Sequence, residues 1–208
     1  MLTSQTERAE VYFQANSFIV NHGNPTLPAD LDAICRRLGI AVSPLSKLTA
    51  ESGLPPGHFT RRWHNPNGAA NSGDDGPQIF YNDLGGGLRW VFTYAEELFH
   101  IILGHTTHPM YSRTEPAPWD ERLYQWHDEC ARIAAGQLLC PPPVFYALPR
   151  LNTVNGIMRL CRVSRECAQT RFDVMRDHAD EIVRSAGYTA LCWFYHKYIQ
   201  EKGGADVR

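Results

Sequence analysis

The chain has 208 residues, a formal net charge of -2 at pH 7 and 43% hydrophobic residues, a composition typical of soluble globular proteins with one or two domains. This charge gives no electrostatic basis for direct binding to nucleic acid or to an anionic membrane. The six cysteines form no C-x-x-C pair, and the chain is too large for a disulfide scaffold, so we expect reduced thiols in a cytoplasmic protein. No segment approaches the roughly 18 uninterrupted apolar residues of a membrane helix, and the N-terminus has no signal-peptide pattern, so neither insertion nor export is expected.

The first eighty or so residues alternate between helical and extended patterns. Apolar residues spaced by three and four predict helices, while alternation of apolar and polar residues predicts strands. Glycine, proline and asparagine clusters predict turns. The elements predicted in this way are helices over 5–21 and 28–38, strands over 40–42, 58–63 and 78–81, a loop over 43–57 and a flexible turn region over 65–77.

A helix predicted over residues 89–105 is apolar almost all round, which is typical of a buried helix. Thr93, Glu96, Glu97 and His100 recur along it at spacings of three and four, so they form one polar stripe. Two carboxylates and an imidazole in a buried helix need a compensating charge, because burial of an uncompensated ion costs several kcal/mol or shifts its pKa. A divalent metal ion is the simplest compensation.

The spacing of this stripe matches half of a known motif. Glu97-x-x-His100 is the second half of H-E-x-x-H, in which two histidines bind zinc and the glutamate activates water. The string over residues 92–105 resembles the ImmA/IrrE-type metallopeptidase family, whose pattern is F-T-x-A-H-E-x-x-H-x-x-x-G-H, and it departs only at Glu96, where a histidine is usual. The resemblance implies an α+β, zincin-like metallopeptidase domain over residues 1–143, with a small sheet whose edge flanks a buried active-site helix.

A further helix predicted over residues 119–140 carries the remainder of the implied site. In the resembled family this helix supplies the carboxylate that completes the metal site, and Glu129 fits the family pattern with one extra residue before the terminal proline. Because of that slip, Asp128 and Cys130 remain alternative ligands. His127 is a weaker rival of Glu129.

The resemblance implies a metal ion held by Glu96, His100 and Glu129, with Glu97 as the catalytic base. Zinc is the expected metal, although an anionic ligand set shifts selectivity toward manganese or iron. Without metal the crowded carboxylates would repel one another, and at least one would take up a proton or recruit an arginine. Four histidines are interpreted as surface or core residues without a role, namely His58, His64, His178 and His196, while His105 and His108 are interpreted as loop or helix-end residues and not as ligands.

Residues 144–208 are predicted to form a helical C-terminal region. Helices over 155–160 and 164–176 resemble a helix-turn-helix unit covering about 152–178, for which we expect a structural role and no direct reading of DNA. An aromatic-rich final helix is predicted over about 188–200, and its aromatic residues indicate packing on the body or on a partner.

These patterns predict a cytoplasmic, metal-dependent endopeptidase-like protein. The resemblance implies that its partner is a helix-turn-helix repressor, which it would cleave with water activated by Glu97. The alternative is a catalytically inactive pseudoenzyme that acts as an antirepressor by binding and sequestering that regulator.

Overall fold

The computed structural model describes residues 4–63, 65–73, 75–111 and 118–204, and in these residues the fold is α+β and mostly helical, with one three-stranded sheet. The elements are α1 (Gln5–His22), α2 (Leu31–Arg37), β1 (Ala41–Pro44), α3 (Leu45–Ser52), α4 (Pro56–Trp63), β2 (Gly68–Gly73), β3 (Gly76–Tyr81), α5 (Arg89–Ile102), α6 (Glu121–Leu139), α7 (Pro142–Ala147), α8 (Val154–Cys161), α9 (Arg165–Asp177), α10 (Ala179–Arg184) and α11 (Tyr188–Gly204). Short 3-10 turns cover His105–Thr107, Pro109–Tyr111 and Pro149–Leu151.

The described residues form two compact units. One consists of Leu31–Arg132, and the other combines the described residues of Leu2–Asp30 with those of Ile133–Arg208. The predicted boundary at residue 143 places α1 with the metallopeptidase-like part, whereas α1 packs against α10 and α11 in the second unit. No described helix is long and apolar enough to cross a membrane.

The sheet of the first unit has the order β1-β3-β2. Strand β3 pairs in parallel with β1 and antiparallel with β2, so that Ile79 lies opposite both Val42 and Ala70. Helix α5 packs against β2 and β3, and the ring of Tyr81 stacks on those of Trp90 and Tyr94. This packing fixes the rotation of α5 about its axis and so determines which of its side chains remain accessible.

Most of the long predicted elements are confirmed, with small differences at their ends: α1, α2, β1, β3, α5, α6, α8, α9 and α11. The short helices α7 and α10 were not predicted, and α7 begins at Pro142, inside the proline run that ends α6. Residue 64, residue 74 of the predicted turn region and residues 112–117 lie outside the described residues.

Three predictions between residues 43 and 77 are wrong. The predicted loop over 43–57 contains helix α3, whose first turn is capped by a remote group, since the Ser46 N–H donates to Oδ1 of Asp83 over 2.9 Å. The predicted strand over 58–63 belongs to helix α4, where the rings of Phe59 and Trp63 meet one turn apart. The predicted turn region over 65–77 contains strand β2 and the first residues of β3, because pairing between these strands overrides their glycine-rich composition.

The second unit is organised around a buried polar network. The Nε–H of Arg171 donates to the Cys140 carbonyl over 3.0 Å, and its Nη2 donates to Oε1 of Gln137. Gln137 Nε2 in turn donates to Oδ1 of Asn16 over 3.2 Å. Arg171 therefore lies in the interior of the second unit and bonds to residues outside the helix-turn-helix-like unit.

All six cysteines are free thiols. Four of them are buried: Cys35, Cys130, Cys140 and Cys161.

Candidate functional site

A cleft of about 510 Å³ opens in the first unit above helix α5. Helices α5 and α6 supply six of its polar residues, namely Thr93, Glu96, Glu97, His100, Asp128 and Arg132, and further polar residues come from the segments beside them, namely Asn65, Asn67, His105 and Thr106. Aromatic residues form its walls, namely Trp63, Tyr111, Trp119 and Tyr124. The predicted polar stripe of α5 is therefore confirmed as one side of a single cleft.

Helix α5 presents the stripe because its opposite side is buried in the core. Tyr94, Ala95, Leu98 and Phe99 are at most 1% exposed. The side chains at the intervening helical positions then face the cleft together.

Strand β2 approaches α5 closely at Gly68. A Cβ at Gly68 would lie 2.7 Å from Cγ2 of Thr93 and 3.3 Å from Cγ of Glu97. Only glycine fits this approach without a shift of the strand. The approach brings the main chain of Ala70 within hydrogen-bond distance of the Glu97 carboxyl group.

Glu97 is the most deeply buried carboxyl group of the cleft and is 7% exposed. Burial, followed by the charges of Glu96 and Asp128, raises its pKa to about 8, although a hydrogen bond from the Ala70 backbone acts in the opposite direction. Metal-free Glu97 therefore holds its proton to a higher pH than an ordinary carboxyl group does.

Arg132 neutralises the two other carboxylates. Its Nε lies 2.9 Å from Oε1 of Glu96 and its Nη2 lies 3.0 Å from Oδ2 of Asp128. The expectation that crowded carboxylates take up a proton or recruit an arginine is confirmed by this pairing. The Arg132 side chain is 60% exposed, so its ion pairs are screened by solvent and the guanidinium can leave at modest cost.

His100 faces the cleft through one ring nitrogen and the protein interior through the other. Its Nε2 lies 4.0 Å from Oδ1 of Asp128, and its Nδ1 lies 3.2 Å from Nδ1 of His105. Burial lowers the pKa of His100 to about 4 and that of His105 to about 3. Both rings are therefore neutral near pH 7, as a metal-binding imidazole must be.

His105, interpreted from the sequence as a loop or helix-end residue, is buried beside His100 and also lines the cleft. It is 4% exposed, and its ring stacks on that of His127 with the centroids 4.1 Å apart. His127 is in turn 3.0 Å from the hydroxyl of Tyr111 through its Nδ1. The signal in the sequence was the glycine before it, because Gly104 adopts a left-handed conformation (φ 75°) that turns the chain back against α5.

Helix α6 brings Asp128 into the cleft, one turn before Arg132. Glu129, the predicted third ligand, is not among the residues that line the cleft. Of the alternatives that the sequence leaves open, Cys130 is buried in the core and His127 packs against His105. Glu96, Glu97 and His100 are thus brought together with Asp128.

The donor atoms of the cleft suit a divalent cation. Carboxylate oxygens of Glu96 and Asp128 and the Nε2 of a neutral His100 are ligand types that zinc and manganese accept. In the described part of the chain no group of three His, Cys, Asp or Glu side chains is arranged closely enough to hold a metal ion. The carboxylates of Glu96 and Asp128 instead form ion pairs with the guanidinium of Arg132. Metal binding at these residues would therefore require Arg132 to turn away toward solvent.

No protein-family model matches this chain, and no curated protein is significantly similar to it in sequence. Its function is therefore inferred from the residues of the cleft and from the resemblance of the α5 motif.

Proposed function

We propose that this chain is a zincin-like metallo-endopeptidase that acts on a regulatory protein of the helix-turn-helix repressor type. The observation that carries the proposal is the convergence of Glu96, Glu97, His100 and Asp128 on one open cleft, with Glu97 at its most buried point. Each of these side chains has a role in metal-assisted hydrolysis of an amide.

In this proposal Glu96, His100 and Asp128 hold the metal ion, with Asp128 in the place first assigned to Glu129. When bound, a divalent cation supplies Lewis-acid polarisation of the scissile carbonyl and of the attacking water. Zinc fits two carboxylates and one imidazole, while the anionic character of the set also suits manganese or iron.

Glu97 is the proposed general base. Its carboxyl group takes the proton of the attacking water and returns it to the leaving amine. Without metal the pKa of Glu97 is raised, and the charge of a divalent cation nearby would lower it toward the ionised carboxylate that a base must be. Burial of the group also keeps it out of bulk water.

Strand β2 supplies a surface for an extended peptide. It lies at an edge of the sheet, and its residues Gly68, Ala69 and Ala70 line the cleft. Because these side chains are small, a peptide can approach the strand and pair with its main chain by β-strand addition. The aromatic walls would then receive apolar side chains of the peptide.

A second function is favoured by one specific observation. Arg132 already pairs with both Glu96 and Asp128 without any metal and so balances one of their two negative charges, which lets the cleft serve as a binding surface. In this alternative the chain is an inactive antirepressor that sequesters its regulator. The two functions differ only in whether the partner is cleaved.

The discriminating experiment uses wild type and Glu97→Gln in cells that carry a reporter for the partner repressor. Before the reporter is built, the partner is identified by its binding to the Glu97→Gln protein, which keeps the shape of the cleft but lacks the base. Repressor fragments and derepression with wild type, and neither fragments nor derepression with Glu97→Gln, support the endopeptidase. Derepression with both proteins and no fragments with either support the antirepressor, and no derepression with either contradicts both functions.

A further inference from the structure

The contact between His100 and His105 has one hydrogen-bond donor and one acceptor. Their Nδ1 atoms lie 3.2 Å apart, which is a hydrogen-bond distance. Since a neutral imidazole has one N–H and one acceptor nitrogen, one of the two rings donates its Nδ1 proton and the other accepts it. Which ring donates determines what His100 presents to the cleft.

The surroundings of His100 favour it as the donor. Its Nε2 is 4.0 Å from Oδ1 of Asp128, beyond hydrogen-bond distance, and the other oxygen of Asp128 is held by Arg132 at 3.0 Å. A proton on Nε2 would therefore not form a hydrogen bond with Asp128. A proton on Nδ1 points directly at His105.

We propose that His105 is a positioning residue, whose Nδ1 accepts the Nδ1 proton of His100 and thereby turns the lone pair of His100 Nε2 toward the cleft. The contribution of His105 to catalysis rests on the proposed function, because it requires that His100 bind a metal ion. The tautomer of His100 itself can be measured without any metal or substrate.

His105 is suited to this role because its own ring is held firmly. Its ring stacks on His127 at an interplanar angle of 18° and also contacts Trp126, while Gly104 sets the turn that carries it. His127 is held by the Tyr111 hydroxyl. A ring fixed on several sides can hold the orientation of His100, beside which it lines the cleft.

The consequence is a preorganised ligand. Groups that hold the second nitrogen of a metal-binding histidine set its tautomer and orientation, and their loss typically lowers metal affinity by about 10–100-fold. His105 would do this with an imidazole nitrogen in place of a carboxylate or carbonyl.

The test is ¹⁵N NMR of metal-free protein labelled at histidine, combined with zinc titration against a chromophoric chelator. Wild type is expected to show His100 protonated at Nδ1. His105→Phe keeps an aromatic ring at this position but removes the acceptor nitrogen. In this variant His100 should shift toward the Nε2-protonated form, and zinc affinity should fall about 10–100-fold. In His105→Asn, whose amide oxygen can take the place of Nδ1, the tautomer should be retained and zinc affinity should stay within about threefold of wild type.

His196 is an exposed histidine on α11, and His196→Phe serves as the control for loss of an imidazole. Near-UV circular dichroism checks that each variant is folded. Wild-type His100 protonated at Nε2 would overturn the inference, and so would a folded His105→Phe with unchanged tautomer and affinity. If His105→Phe does not fold, the wild-type tautomer and the His105→Asn titration decide. If wild type binds no zinc but the tautomer of His100 changes in His105→Phe, the proposed metal-dependent function fails while the positioning role of His105 stands.

Discussion

The guanidinium of Arg132 lies 2.9 Å from the carboxylate of Glu96, at the position where the related motif has a zinc-binding histidine. The same guanidinium reaches Asp128, so one exposed cation compensates two candidate metal ligands from two helices. A metal ion bound by these oxygen atoms would therefore compete with Arg132 for them.

Removal of Arg132 should strengthen metal binding. We expect Arg132→Gln to raise zinc or manganese affinity by about two- to fivefold, because a largely solvent-exposed ion pair contributes only ~0.5–1 kcal/mol. Isothermal titration calorimetry measures the change, with Arg122→Gln, an exposed residue of the same helix, as the control. Unchanged or weaker affinity in Arg132→Gln would mean that Arg132 does not compete with the metal.

Asp128 and Glu129 can be distinguished directly. Asp128→Asn should weaken metal binding by at least about tenfold, because it removes the anionic ligand that faces the cleft. Glu129→Gln should leave the affinity within about twofold of wild type, since Glu129 does not line the cleft. The reverse order of effects would restore Glu129 as the ligand and would show that α6 rotates on metal binding.

Glu97 should make the stability of the metal-free protein depend on pH. Its pKa in the folded protein, about 8, lies above the ordinary value of 4.5, so the folded state holds an extra proton between these values. The stability from the protonated carboxyl group is complete below about pH 4.5 and is lost as the pH rises toward 8. The free energy of unfolding of Glu97→Gln should therefore exceed that of wild type increasingly from pH 5 to pH 8, by an amount on the order of a few kcal/mol.

This difference is measured by urea unfolding in the presence of a chelator. The lowered pKa values of His100 and His105 act in the opposite sense, since the stability of their neutral forms is lost as the pH falls below about 6.5. They are present in both proteins, so the comparison isolates Glu97. A difference that does not vary with pH would indicate that Glu97 is already ionised in the folded protein.

Gly68 should be the sensitive glycine of strand β2. Gly68→Ala would place a methyl group 2.7 Å from Cγ2 of Thr93 and 2.8 Å from the Phe80 carbonyl oxygen, and we expect a loss of ~1–3 kcal/mol in unfolding free energy. Gly73→Ala in the same strand meets only the Asn71 side chain, at 3.4 Å, and should be nearly neutral. Equal effects of the two substitutions in thermal unfolding would show that β2 does not depend on this close approach.

The arrangement of the polar side chains of α5 could be predicted from the sequence because it is encoded locally. The spacing of Glu96, Glu97 and His100 fixes their common face whatever the rest of the fold does. The third carboxylate could not be predicted so well, since a difference of one residue rotates a side chain by about 100° around a helix. Only packing distinguishes Asp128 from Glu129.

The elements before α5 depend on contacts that are distant in sequence. Helix α3 is capped by Asp83, and strand β2 forms through pairing with β3 and its approach to Thr93. Local sequence patterns contain neither contact, and they therefore predict a loop over 43–57 and a turn region over 65–77. His105 was set aside for a similar reason, because its burial depends on stacking against His127 from another helix.

The most direct test of the central claim is cleavage of a defined peptide library by the chain loaded with zinc or manganese, followed by mass spectrometry. The wild-type protein should release peptide fragments at a reproducible set of sites. Glu97→Gln should cleave about a hundredfold to ten thousandfold more slowly while it still binds metal. Metal-loaded wild type that produces no fragments, or Glu97→Gln that cleaves at the wild-type rate, would contradict the assignment of this cleft as a metal-dependent endopeptidase site with Glu97 as its base.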